Sequence, residues 1–278
     1  MSASALLTDR EEQTLVLIAR FRFLTSMQLQ SFLFEGSRTT PQSQAVLARK
    51  TLRSLANSKL VQRLPRPLGG SGGGSSPHAY CLAPKGARLL AADGSHLPKR
   101  KVPQGTFWLR HALATADFAL GLQRAAQAPG QQLVEWSCDW EVEQRMEATR
   151  LVPDAFFVYQ AHGLELHAFV EIDLGSVNSK AFATKIGRYL DLFTSGSWQG
   201  RLSVWPTVLT LTPDAARARL LRRATESALA AHGGGVGAAT EFAFAIQEDA
   251  CRAPLGPVWE TAGTAGHGAL FAQGDQSG

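Results

Sequence analysis

Two spacings of apolar residues divide the chain. Over roughly the first ninety residues they recur every third or fourth position, the period of amphipathic helices. Residues 8–21 start with Thr8 and carry Glu11 three positions later, a capping-box pair. Leu15, Ile18 and Ala19 then repeat at helical spacing. Thr25 or Ser26 caps a second predicted helix through Met27, Leu29, Phe32 and Leu33. Thr39 or Thr40 caps a third over residues 41–57, with Pro41 at its first position, where the missing N–H costs nothing. On that helix Ala45, Ala48, Leu52, Leu55 and Ala56 face inward, while Gln42, Arg49, Lys50 and Arg53 face away. Short extended runs follow at 60–64 and 78–82, separated by the Gly/Ser-rich segment 69–76. Pro84 then opens a closing helix. Three helices, a hairpin and a closing helix form a winged helix-turn-helix pattern. The glycine run could serve as an interdomain linker, but reads as the tip of the wing because the strand and helix after it complete the winged domain.

The second part is patterned for strands. Residues 94–105 are rich in Pro, Gly and Lys and read as a linker, after which 107–127 is a helix bearing one titratable oddity, His111. Strands are expected at 133–140, 155–159, 166–172, 206–211 and 242–246, with 142–150 as a turn or short excursion. Between them come a helix capped by Asn178 or Ser179, with Phe182, Ile186, Tyr189, Leu190 and Phe193 on one face, and a helix over 213–231 started at Thr212 or Pro213. The order α-β-β-β-α-β-α-β suits an α/β sheet with helices on its faces. The boundaries expected are 6–93, a linker at 94–105, an α/β core at 106–260 and a disordered tail at 261–278.

Charge is unevenly spread. The net formal charge of +5 divides into 15 basic and 5 acidic residues over 1–105, against 13 basic and 18 acidic over 106–278. A basic N-terminal part with an acidic remainder points to a polyanionic partner for the former. The outward face of the third helix carries side chains that suit a DNA major groove. Gln42, Arg49 and Arg53 are of types that read base edges, Lys50 is of a type that contacts phosphate, and Arg63 and Arg66 on the wing would be further phosphate contacts. The competing reading is a protein-docking module whose charges are a solvated face. Cys81, Cys138 and Cys251 form no metal or disulfide pattern, no secretory signal is expected, and no apolar run is long enough to span a bilayer. A cytoplasmic location fits. No P-loop, dinucleotide-binding glycine pattern or Ser/His/Asp arrangement is present, and a His cluster of the relaxase type is missing.

The chemistry-bearing stretch is 151–193. Asp154 opens one strand, and Glu171 and Asp173 close the next on one side of it. Clustered carboxylates of this kind can share a hard divalent cation, Mg2+ or Mn2+, able to orient a phosphodiester and activate water. Lys185 on the following helix is placed to reach back toward them. The bland alternative is three strand-end acids in solvent.

Pro153-Asp154 with Glu171-Ile172-Asp173 resembles the PD-(D/E)XK nuclease-like core, except that Asp173 stands where that pattern has lysine. The resemblance implies Asp154, Glu171 and a helix-borne Lys185 as catalytic residues, with Asp154, Glu171 and Asp173 as metal ligands. Taken with His111-Ala112-Leu113-Ala114 and Asp117, Pro153-Asp154-Ala155, Val170 to Asp173, and Lys185-Ile186 with Tyr189, the chain resembles the replication-relaxation family over about residues 8–230. This implies a winged helix followed by a restriction-endonuclease-like α/β core. The function expected is that of a DNA-binding accessory protein of plasmid or mobile-element replication or relaxation, with double-stranded DNA, a plasmid replication or mobilisation protein and a second copy of the chain in a homodimer as candidate partners. A Mg-dependent endonuclease or nickase and a winged-helix transcriptional regulator are the alternatives.

Overall fold

The computed structural model describes residues 7–35, 39–64, 77–98, 105–147, 149, 151–233 and 240–271. Arg66, the glycine run 69–76 and the basic 99–101 segment lie outside them. The chain divides into two compact units, Met1–Leu120 and Gly121–Gly278. The division falls inside a helix rather than in the 94–105 segment read as a linker.

The first unit contains α1 (Asp9–Phe21), β1 (Leu24–Thr25), α2 (Ser26–Phe34), α3 (Pro41–Asn57), β2 (Val61–Arg63), β3 (Ala79–Leu82), α4 (Pro84–Ala92) and the start of α5 (Thr106–Ala125). Local caps fix the first three helix starts. Thr8 and Glu11 close a capping box on α1, Thr25 and Gln28 a second on α2, and the Thr40 hydroxyl accepts from Ser43 N, 3.3 Å away, ahead of Pro41. Leu15, Ile18, Leu29, Leu52, Leu55 and Leu90 turn inward to a shared core. The strands form a small antiparallel sheet in the order β1-β3-β2. The two-residue β1, not foreseen, pairs Leu24 with Tyr80 and Thr25 with Ala79. Gln28 also ties α2 to α5, its Nε2 donating to Leu113 O (2.9 Å) and Asp117 Oδ1 (2.7 Å).

The second unit runs through β4 (Gln131–Cys138), α6 (Asp139–Arg145), β5 (Ala155–Ala161), β6 (Leu164–Ile172), α7 (Ser179–Ser195), β7 (Thr207–Thr212), α8 (Ala215–His232), β8 (Phe242–Ile246), α9 (Gln247–Arg252) and β9 (Glu260–Thr261). Its sheet has six strands in the order β4-β5-β6-β7-β8-β9. The β5–β6 hairpin turns on two residues, His162 and Gly163, both at positive φ (53° and 76°), as a primed turn requires. Strands β6, β7 and β8 are parallel, with α7 and α8 as the crossovers that parallel pairing demands. Phe156, Phe169, Ile186, Tyr189, Val208, Leu221 and Phe242 fill one core cluster of this unit.

Three sequence expectations change here. A helix, α6, takes up the last two residues of the strand expected at 133–140 and the start of the 142–150 excursion, and Glu141 secures its start by accepting from Cys138 N (2.7 Å). The N-cap of α8 is Asp214, which accepts from Arg217 N (2.8 Å), and not Thr212 or Pro213. Order also continues past residue 260. β9 pairs with β8, Trp259 bridges Gly268, and the fully buried Trp259 indole donates to Pro254 O (2.8 Å). A buried tryptophan anchors a segment whose composition alone reads as tail. Among the described residues no helix is long and apolar enough to cross a membrane.

Gly121 lies inside α5, where alanine ordinarily favours a helix by about 1 kcal/mol. Here a Cβ would meet Cys251 O at 2.5 Å. Gly121→Ala should therefore destabilise, by about 1–3 kcal/mol on the scale of overpacked sites, read as a lowered urea midpoint. An unchanged or raised midpoint would show that this contact yields.

Candidate functional site

The site follows from strand parity. On β6, Phe169 packs in the apolar core, so Glu171 and Asp173 project to the same side of the sheet. Phe156 pairs with Phe169 and Ala155 with Val170; continuing that antiparallel register by one residue sets Asp154 opposite Glu171. On the other side, Thr210 of β7 is the register partner of Glu171. Asp154, Glu171 and Thr210 thus form a polar row across three strands, one step beyond the apolar row of Phe156, Phe169 and Val208.

Helix α7 closes over this row. Lys185 and Tyr189 are four residues apart and share a face. Lys185 Nζ donates to Glu171 Oε2 and the Tyr189 hydroxyl to Glu171 Oε1, so both oxygens of one buried carboxylate are engaged. Asp154 Oδ2 accepts from Ile172 N (2.7 Å), which fixes the carboxylate at the strand entrance. Asp173, one turn of the pleat beyond, belongs to a different pair. Arg217 of α8 forks onto it, Nε to Oδ1 at 2.8 Å and Nη2 to Oδ2 at 2.7 Å, and Gly175 N also donates to Oδ1 (2.8 Å). The same guanidinium reaches Val177 O and straps the loop between β6 and α7.

The electrostatics follow from burial. Burial pushes the Glu171 carboxyl up to about 7; the Asp154 charge pushes the same way, while Lys185 and the Tyr189 hydroxyl pull against both. For Lys185 burial works against the ammonium, but the charges of Glu171 and Asp154 outweigh it and raise its pKa. Burial and the adjoining Glu171 hold the Tyr189 hydroxyl well above its ordinary range.

The structure therefore brings together Asp154, Glu171 and Lys185, and sends Asp173 to Arg217. As candidate metal donors, Asp154 and Glu171 have the hard oxygen chemistry that suits Mg2+ or Mn2+. Asp173, the third metal ligand expected, is instead engaged by the arginine fork and a backbone N–H, as Glu171 is by Lys185 and Tyr189. Among the described residues no group of three or more His, Cys, Asp or Glu is arranged to hold a metal ion. Arg217 and the hydroxyl of Tyr189 were missed as partners by sequence reasoning. So was Thr210, whose fully buried hydroxyl has no hydrogen-bond partner among the described residues.

In the first unit, Gln42, Arg49, Lys50 and Arg53 all lie exposed on α3, and Arg63 lies exposed on β2. Arg49, Lys50 and Arg53 make no ion pair with any described residue. Arg66 lies outside the described residues. His111 is half-buried on α5, its ring 6.0 Å from that of Phe107, and its carbonyl accepts from the Thr115 hydroxyl (3.0 Å).

Two stability measurements follow. Glu171 ionises near 4.5 in an unfolded chain and near 7 in the fold. Its contribution is thus fully present below about 4.5 and is lost as pH rises through about 7. Between about pH 5 and pH 8 the urea midpoint should fall, and Glu171→Gln should flatten that dependence; a wild-type slope retained in the variant would refute the assignment. The Asp173 and Arg217 side chains are 4% and 13% exposed. Arg217→Ala should then cost about 3 kcal/mol by leaving a buried charge without its partner, and adding Asp173→Asn should recover part of the loss.

The replication-relaxation family profile matches residues 15–208. No curated protein matches the chain with significant similarity. The matched span takes in most of the first unit, the Asp154–Glu171–Lys185 row and Asp173, and it stops short of Arg217. With well over half of its 278 residues inside that match, the chain belongs to the replication-relaxation family.

Proposed function

We propose that this chain is a DNA-binding accessory protein of plasmid or mobile-element replication or relaxation. In this reading the first unit is a winged helix that contacts double-stranded DNA, and the second is a nuclease-like core that acts as scaffold or partner platform. The observation that carries it is the outer face of α3. Three cations there, Arg49, Lys50 and Arg53, stand exposed and make no ion pair with any described residue, and Gln42 lies on the same helix nearer its start. A helix that docks in a major groove needs that combination. Guanidinium and amide groups read base edges, and ammonium and guanidinium groups hold phosphate. The three-helix, three-strand order with α4 behind it supports the winged-helix reading, with Arg63 on the hairpin beside the groove. The family name supports the replication context.

One observation favours a second reading, cation-dependent cleavage of a DNA strand. Lys185 does reach Glu171, across from Asp154, as a lysine supplied by the following helix must. Asp154 and Glu171 would hold the divalent cation, which would supply Lewis acidity and an activated water. Lys185 would neutralise charge at the phosphoryl oxygens once released from Glu171, and the buried Tyr189 hydroxyl would keep Glu171 oriented during that exchange.

Fluorescence-anisotropy titrations on duplex DNA test the first reading. Arg49→Ala, Lys50→Ala and Arg53→Ala combined should weaken binding and make log K less steep against log salt by about 2–3. Equal affinity and equal slope would remove α3 from the interface. A plasmid-nicking assay with Mg2+ or Mn2+, run beside Asp154→Ala and Lys185→Ala, separates the readings. Binding without nicking supports the platform role, and metal-dependent nicking lost in both variants supports the second.

A further inference from the structure

The second unit is acidic as a whole, yet one stretch of it is not. Between residues 180 and 201 lie Lys180, Lys185, Arg188 and Arg201 against a single acid, Asp191. This local charge of +3 is set in a part of the chain (106–278) where acids outnumber bases 18 to 13. These residues are not scattered in space. Arg188 is one turn along α7 from Lys185, and a groove of about 840 Å3 opens beside it, lined by Thr149, Arg188, Asp191, Ser195, Ser197 and Arg201 among others.

The groove has features of a phosphate-binding surface. Arg188 is exposed and makes no ion pair with any described residue. Arg201 is anchored, its guanidinium donating to Ser197 O (3.0 Å) and Glu147 O (3.4 Å), and a planar group with five N–H donors keeps others for a ligand. Ser197 adds a hydroxyl of the kind that binds phosphate and sugar oxygens, while the Thr149 and Ser195 hydroxyls donate to Met146 O (2.8 Å) and Leu192 O (3.1 Å). The one acid, Asp191, has His232 Nε2 at 3.4 Å from its Oδ1. The C-terminal end of α7, with Gly196 as its cap, carries the negative pole of the helix dipole, which opposes an anion. Arg201 lies at that end and counters it.

We propose that this groove binds the phosphodiester backbone of a nucleic-acid strand and leads it along α7 to the row of Asp154, Glu171 and Lys185. The inference rests on the reading of the chain as a DNA-binding protein, and adds a second contact that the basic first unit does not supply. Arg188 would hold one phosphate beside Lys185, and Arg201 a neighbouring one toward the end of the helix. An electrostatic track of this sort tolerates any base sequence, since it touches only the backbone.

The test is site-specific photocrosslinking in the full-length protein bound to labelled DNA, with the photoreactive residue at Ser195 in the groove or at Gln42 on α3. A crosslink from Ser195 is expected, falling about tenfold with Arg188→Glu alone or with Arg188→Glu and Arg201→Glu together, while the Gln42 crosslink persists. The single variant leaves the carbonyl contacts of Arg201 intact, so a loss there does not reflect a disturbed fold. A crosslink from Gln42 with none from Ser195, or a Ser195 crosslink indifferent to Arg188→Glu, overturns the groove and leaves DNA binding by the first unit standing. No crosslink from either position overturns both.

Discussion

The second unit depends on how one buried carboxylate is satisfied. Glu171 sits on a central strand, under a helix and beside an apolar core, where an uncompensated charge costs several kcal/mol. Its two oxygens are met by Lys185 and Tyr189, one turn apart on α7. A rotation of that helix by one residue would break both contacts at once. The pair therefore sets the rotational position of α7, and with it the seating of Phe182, Ile186 and Leu190 in the core. Polar satisfaction and apolar packing specify the same helix orientation, and agreement of that kind gives a fold a single answer.

The same row explains why chemistry is concentrated at one end of the sheet. Parallel β6, β7 and β8 all end on the same side, where the crossover helices begin. Polar residues collect there because the chain must leave the core: Asp173 at the close of β6, Asp214 at the cap of α8, Arg217 one turn on. Open α/β sheets place ligand sites beyond the carboxyl ends of their strands for this reason. Asp154 joins from the opposite direction, because its strand runs antiparallel and starts where β6 ends.

Much of this architecture was legible in the sequence. Caps and periodicity located α1, α2, α3 and α7, because Thr8, Thr25, Thr40 and Asn178 act on backbone groups only three residues away. The parity of Glu171 and Asp173, and the spacing of Lys185 and Tyr189, were legible for the same local reason. What was not legible is long-range. Arg217 lies 44 residues from Asp173, and its claim on that carboxylate arises only when β7 pairs with β6 and brings α8 alongside. β1 has two residues and no period to read; it exists because β3 offers it an edge. The ordered segment after Trp259 was hidden by its Gly- and Ala-rich composition, although the single tryptophan that anchors it was visible.

Two ion pairs now lie two residues apart on one strand, and their chemistry differs. Asp173 meets an arginine through two parallel bonds, and that arginine also holds a loop carbonyl; both partners are nearly enclosed. Parting them would strand a charge and release the loop, so this pair serves structure. Glu171 meets a lysine, a single rotatable point charge on a flexible stem, and the Lys185 side chain is 30% exposed. Lysine can swing to another anion while the Tyr189 bond and the protonatable character of Glu171 limit the cost left behind. The carboxylate at position 173, where a nuclease-like pattern has its lysine, thus has its own partner in Arg217, and the lysine beside Glu171 comes from α7. On the proposed reading, a phosphate arriving along that helix would compete with Glu171 for Lys185, and the occupancy of the surface would then be linked to the buried row beneath it.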